Sequence, residues 1–134
     1  MAAMSNYLET ALLDFVLNAA GDESFTSPAS VWVSLYTDDP GDDDSGTEVT
    51  GNDYARVQVT EGFEVTGVDT ADNDAAVTFP PANGGDWGTV THVGIHDAST
   101  AGNLLFHGIL TAEKIVGDGD TFEFAIGNLD VTLA

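Results

Sequence analysis

The stretch from Phe79 to Leu110, FPPANGGDWGTVTHVGIHDASTAGNLLFHGIL, constrains the fold more than any other part of the chain. From Trp87 to His96 the residues alternate, with Trp87, Thr89, Thr91, Val93 and Ile95 on one face and Gly88, Val90, His92, Gly94 and His96 on the other. Asp97 to Asn103 is turn chemistry, because Asp, Ser and Asn bond back to nearby backbone and Gly102 accepts positive φ. The chain then returns as a second strand from Leu104 to Leu110, with Leu104, Phe106 and Leu110 in phase. The pattern predicts Trp87, Val93, Ile95 and Phe106 in the core and the His92 and His96 face toward solvent or a subunit contact. A lone hairpin is not stable in water, so the flanking segments must add strands and a covering layer.

Those segments read accordingly. Asn6 to Ala20 is one helix, with Asn6 as N-cap, Glu9 three residues on and Gly21 placed to end it. Leu8, Leu12, Phe15, Val16 and Ala19 form a stripe that Leu13 and Leu17 widen, more apolar surface than a solvent-facing helix carries. Such a helix either plugs one end of a sandwich or docks into a neighbouring subunit. Val31 to Thr37 is a buried strand, Asp38 to Asp53 a long, mobile acidic loop, and Tyr54 to Thr60 a short alternating strand. Phe63 to Val68 is a weak strand, Asp69 to Asp74 a loop, and Ala75 to Phe79 a strand ended by Pro80 and Pro81. Glu113 to Val116 is another short segment before the turn Gly117 to Asp120, and Thr121 to Ile126 and Leu129 to Leu133 close the chain. About eight short strands with no βαβ alternation predict an all-β protein, an antiparallel β-sandwich of jelly-roll or immunoglobulin-like type with one N-terminal helix. At 134 residues, positions 1–134 form a single domain.

Charge narrows the partners. Against 23 acidic residues stand one lysine, Lys114, and one arginine, Arg56, for a formal charge of −21. Carboxylates repelling across a surface destabilise a compact state at low salt and are screened at high salt, so the composition reads as halophilic. Two basic side chains cannot replace the counterions on phosphates, which argues against nucleic acid. In this setting Arg56 is expected to fork onto a carboxylate, within the fold or across a subunit contact. The chain has no cysteine, hence no disulfide framework. Neither a bilayer-spanning apolar run nor a signal-peptide order is expected, so membrane insertion is not.

A search for chemistry yields no catalytic residues and no cofactor motif: no nucleophile elbow, no phosphate-cradling loop before a helix, no HExxH. His92 and His96 share a strand face and His107 lies on the returning strand, which makes them candidate zinc ligands. The alternative is ordinary strand histidines. Asp42, Asp44 and Glu48 in the acidic loop are candidate calcium ligands, yet counting from Asp42 the sixth position is Thr47 and the twelfth Asp53, which is not an EF-hand; the alternative is a solvated loop. Asp86, Asp97 and Asp120 fall in turns, where their carboxylates have structural tasks.

Four segments carry a resemblance: SNYLETALLDFVL; SPASVWVSLYTDDPGDDDSGTEVTGNDYARVQVT; VTFPPANGGDWGTVTHVGIHDASTAGNLLFHGIL; and a GD turn followed by FEFAIGNLDVTL. YAR, FPPA, WGTVTHVGIHDA and GNLLFHG are their most specific parts. Together they resemble a widespread family of small tailed-phage virion proteins known as phage tail or tail-fibre proteins. The resemblance covers nearly the whole chain and implies a structural virion component with no catalytic residues, so an enzyme is not expected. With the acidity it suggests a haloarchaeal tailed virus. The expected role is a capsid turret, head decoration or tail component displayed as a homo-oligomer, a trimer or pentamer, among other virion proteins. A receptor- or glycan-binding fibre tip that touches the host cell surface is the alternative.

Overall fold

In the computed structural model, residues 2–17, 25–60 and 62–133 are described. The strands are β1 (Ala3–Met4), β2 (Val31–Tyr36), β3 (Val57–Val59), β4 (Phe63–Val65), β5 (Thr70–Asn73), β6 (Val77–Thr78), β7 (Gly88–His96), β8 (Leu104–Val116), β9 (Glu123–Phe124) and β10 (Asp130–Thr132). One helix, α1 (Asn6–Leu17), follows β1. The strands form a five-stranded sheet in the order β1-β8-β7-β2-β3, a three-stranded sheet β10-β5-β4 and a pair β6-β9, with every named pair antiparallel. The described residues are therefore all-β with one short helix. Among the described residues no helix is long and apolar enough to cross a membrane.

The large sheet is organised on β7 and β8, as the hairpin pattern requires. Asp97 holds the turn by accepting hydrogen bonds from Asn103 N at 2.7 Å and Asn103 Nδ2 at 2.9 Å. Gly102 takes φ of +71° where an added Cβ would meet Asp97 and Ala98. β8 runs on to Val116, so the expected separate segment at Glu113 is the same strand, and its register against β7 shifts between Val90 and His92. The shift breaks the expected alternation: Val90 and Val93 are both buried in the core, although strict alternation would put residues three positions apart on opposite faces. A bulge of this kind inserts unpaired residues on one strand and turns the side chains beyond it to the opposite face.

One face of the large sheet packs on the two small sheets. Val33, Leu35 and Val93 meet Val77, Phe79, Phe122 and Phe124 in the main core, and Ile95 meets Val131 and Ala2 in a smaller one. Trp87, Val93 and Ile95 are buried as expected, while Phe106 is half-buried beside Ile95. Trp87 stands edge-on to Tyr54 at 5.3 Å between ring centres, and its Nε1 donates to Asn52 O at 3.0 Å. Aromatic rings set edge to face pack with favourable quadrupoles, and the indole N–H needs such a partner once buried.

Two expectations need correction. The helix is capped by Ser5, one residue before Asn6: Ser5 Oγ accepts from Leu8 N at 3.3 Å and donates to Leu104 O. Its expected end at Ala20 and Gly21 lies outside the described residues, and a short strand, β1, precedes it. Asp69 to Asp74, expected as a loop, contains β5, paired on both sides. Polar as it is, β5 ends on the buried Asn73, which donates to Ala75 O and Ala125 O and accepts from Leu129 N. Those bonds replace the water a buried amide loses.

Candidate functional site

On the other face of the large sheet the strand period and register bring together Ser34 and Tyr36 of β2, His92, Gly94 and His96 of β7, and His107 of β8. The acidic loop after β2 folds back over them. Asp38 pins its two ends, accepting from Thr47 N and, at 3.0 Å, from Thr47 Oγ1, and these bonds hold its carboxyl below the ordinary range. Gly46 permits the turn, because a Cβ there would lie 2.5 Å from Pro40 Cα and 2.6 Å from Asp39 O. Asn6 N donates to Asp42 O, which ties the start of α1 to the same loop. The loop expected to be mobile is thus a fixed cover.

Its carboxylates meet the histidines one by one. Asp42 Oδ1 lies 2.8 Å from His107 Nε2. Asp39 Oδ1 stands between His92 Nε2 at 3.9 Å and His107 Nδ1 at 4.0 Å. Asp44, at a positive φ of 57°, accepts from Tyr36 OH at 2.6 Å and lies 3.4 Å from His96 Nε2. Since a carboxylate only accepts, His96 carries its proton on Nε2, leaving Nδ1 to accept from Ser34 Oγ at 3.0 Å. Tyr36 stacks on His96 with ring centres 6.3 Å apart, and burial, with the Asp44 contact, pushes its phenol pKa up. Gly94 beneath them leaves the room: a Cβ would meet Ser34 Oγ at 2.7 Å and Tyr36 Cε2 at 2.9 Å. His96 has no exposed side-chain surface, and burial, then the Arg56 guanidinium, hold it below the ordinary histidine range. The expectation of a solvent-facing His96 is therefore overturned, because the loop that covers it is itself polar and reads as exposed.

Arg56 does fork onto a carboxylate of its own chain. Its Nε and one terminal nitrogen donate to Glu48 Oε1 and Oε2 at 2.8 and 2.7 Å, and the other terminal nitrogen donates to Ala98 O and Ala101 O, both at 2.9 Å. Tyr54 OH donates to Glu48 Oε1 at 2.9 Å and accepts from Leu35 N at 2.9 Å. Burial, then Glu48, pushes the Tyr54 phenol up. One guanidinium thus joins the acidic loop to the β7–β8 turn.

The six metal candidates are accordingly spread among separate partners: Asp42 on His107, Asp44 on Tyr36 and His96, Glu48 on Arg56 and Tyr54, and His92 toward Asp39. Among the described residues no group of three or more His, Cys, Asp or Glu is arranged to hold a metal ion. Sequence reasoning missed Ser34, which with His96 and Asp44 forms a Ser–His–Asp chain. It cannot attack a substrate, because Ser34 and His96 are both 0% exposed; the bonds serve to satisfy a buried imidazole. A different feature opens on the opposite face, between the large and the three-stranded sheets. There an apolar cleft of about 390 Å³ is lined by Val31, Phe63, Val65, Val68, Phe106 and Leu133, among others.

No curated protein matches the chain. A family model described as "Podophage GP4 fiber I protein gp80" matches residues 3–132. With 130 of its 134 residues inside that match, the chain belongs to the podophage GP4 fiber I protein gp80 family.

Proposed function

We propose that this protein is a structural fibre component of a tailed virus from a high-salt habitat, built into the particle as a homo-oligomer and without a catalytic role. The family match over residues 3–132 carries the reading, since the family bears the name of a podophage fibre protein. The name also favours a tail fibre over a capsid turret or decoration. The charge of −21 supports a host living at molar salt, where carboxylate repulsion is screened. Support for assembly comes from α1, whose C-terminal half leaves Leu13, Phe15, Val16 and Leu17 exposed. Isolated domains avoid contiguous apolar surface of that kind, and a closed ring of three or five copies would cover it. A receptor- or glycan-binding tip is the weaker reading, because Trp87, the one tryptophan of the loops that would make its contacts, 38–53 and Gly84 to Trp87, is buried.

Immunogold labelling of purified particles with an antibody to the chain tests the assignment. Label along or at the base of the fibres is expected. Label on the capsid faces would move the protein to a turret, and absence from purified particles would overturn the reading.

A further inference from the structure

Asn83 is the one asparagine of this chain that is followed by glycine, and Asp118 the one aspartate. Such pairs are chemically labile in water, because glycine has no side chain to keep its backbone nitrogen away from the side-chain carbonyl carbon before it. The fold brings both pairs to one place. Gly84 N donates to Asp118 Oδ1 at 3.0 Å, and Gly119 N donates to Ala82 O at 2.7 Å. Each labile pair therefore has its attacking nitrogen bound by the other loop.

Further bonds fix the contact. Ala82 N donates to Asp120 O at 2.9 Å, Asp118 N to Asp86 Oδ1 at 2.9 Å and Gly117 N to Asp120 Oδ2 at 2.8 Å. Asn83 is exposed, and a third segment holds it: its Nδ2 donates to Asp53 Oδ2 at 2.9 Å and its backbone N to Asn52 O at 3.1 Å. Gly84 has φ of +85° and open space where a Cβ would stand, so crowding does not protect Asn83. What restrains it is the bond on its neighbour's nitrogen.

The reaction needs that nitrogen free. Gly84 N loses its proton and attacks Asn83 Cγ; the N–Cγ bond forms, the Cγ–Nδ2 bond breaks, and Nδ2 leaves with the proton as ammonia. Water then opens the five-membered imide at either carbonyl, leaving aspartate or isoaspartate. In sum one amide and one water become a carboxylate and ammonium, and nothing is oxidised or reduced. A carboxylate on Gly84 N opposes the first step twice: it occupies the N–H, and its charge disfavours the amide anion that must form.

We propose that Asn83 is a site of spontaneous deamidation that the folded chain holds closed through Asp118, and that opening of the contact between residues 82–84 and 117–120 releases it. The change is one-way, because the new carboxylate faces Asp53 where an amide N–H had donated, and like charges at that distance repel. Asn52, in the same turn as Asp53, also accepts from the buried Trp87 Nε1, so the repulsion is set against the edge of the core.

The test is peptide mapping by mass spectrometry of the whole chain incubated at mildly alkaline pH in molar potassium chloride, following the mass gain at Asn83; isomerisation of Asp118 leaves the mass unchanged. Folded wild type is expected to deamidate there roughly 10-fold or more slowly than the same chain unfolded in urea. Asp118→Ala, at an exposed position, is expected to stay folded by circular dichroism, to deamidate roughly 10-fold faster than wild type and to exchange the Gly84 amide faster as well. Asn83→Asp, the product made directly, is expected to melt below wild type. A folded Asp118→Ala variant that reacts no faster would overturn the proposal, and one that reacts more slowly would overturn it by showing the carboxylate to act as a base. Should that variant not fold, wild type still decides: equal rates in the folded and unfolded chain would sink the protection.

Discussion

His96 Nε2 and Asp44 Oδ2 stand 3.4 Å apart, a fully buried imidazole on the central strand facing a carboxylate of the loop that covers it. Around the ring are Ser34, Tyr36, Asp44, Glu48 and Arg56. Burial and Arg56 outweigh Asp44, so the folded protein keeps His96 neutral at pH values where the unfolded chain protonates it.

The consequence is a pH dependence with a definite sign. Below the unfolded value of about 6.5, the unfolded chain binds the proton that the folded chain refuses, so stability is full above that value and falls as pH drops through the folded pKa. Thermal melts in molar salt should therefore lose stability as pH falls below about 6.5, and His96→Gln should flatten the profile. The Asp38 window is separate: its carboxyl is held low by Thr47, so that contribution disappears only in stronger acid. A flat wild-type profile from pH 7 to 5 would contradict a buried neutral His96.

Arg56 should not be replaceable by lysine. Its side chain is 7% exposed and serves two carboxylate oxygens and two carbonyls, a fork that an ammonium cannot reproduce. Arg56→Met strands Glu48 and both carbonyls and should cost about 3 kcal/mol, with Arg56→Lys in between. Because a buried pair is little screened, the loss should persist at molar salt in chemical denaturation. Equal stability of wild type and Arg56→Lys would sink the clamp.

The bulge in β7 is testable through its neighbours. Val90→Asp places a carboxylate in the main core and should prevent folding, whereas Thr91→Asp should be tolerated at a half-buried position opposite the irregular stretch of β8. Phe79→Ala, 1% exposed, should cost about 3–5 kcal/mol, against about 2 kcal/mol or less for the half-buried Phe106→Ala. Unbroken alternation would instead leave Val90 tolerant, and circular dichroism of the purified variants separates the two.

Salt should act on the whole molecule. Between about 0.1 M and 1 M the screening length falls from roughly 10 Å to 3 Å. If this relieves about 3 kcal/mol of repulsion, Tm rises by roughly 10 °C in a domain of this size. A Tm unchanged across that range would remove the halophilic reading.

How much of this was written legibly in the chain depends on distance along it. The β7–β8 hairpin and its Asp97–Gly102 turn were legible, because turn chemistry and apolar alternation are local. Arg56 was legible through scarcity: a lone guanidinium among carboxylates must pair. The bulge was not, since nothing in Val90 to Val93 marks an inserted residue before the partner strand is known. β5 was hidden for a related reason, that its stability comes from pairing on both sides and from Asn73, not from apolar side chains. His96 was misplaced because its cover is a run of aspartates, which local composition reports as solvated. Ser5 rather than Asn6 caps the helix because its hydroxyl also reaches Leu104 O, a partner far along the chain.

The most direct measurement is a cryo-electron-microscopy reconstruction of the intact particle in molar salt, with the chain fitted into the fibre density. The expected result is a closed ring of three or five copies. Single isolated copies, or fibre density with no place for this chain, would contradict a homo-oligomeric fibre component.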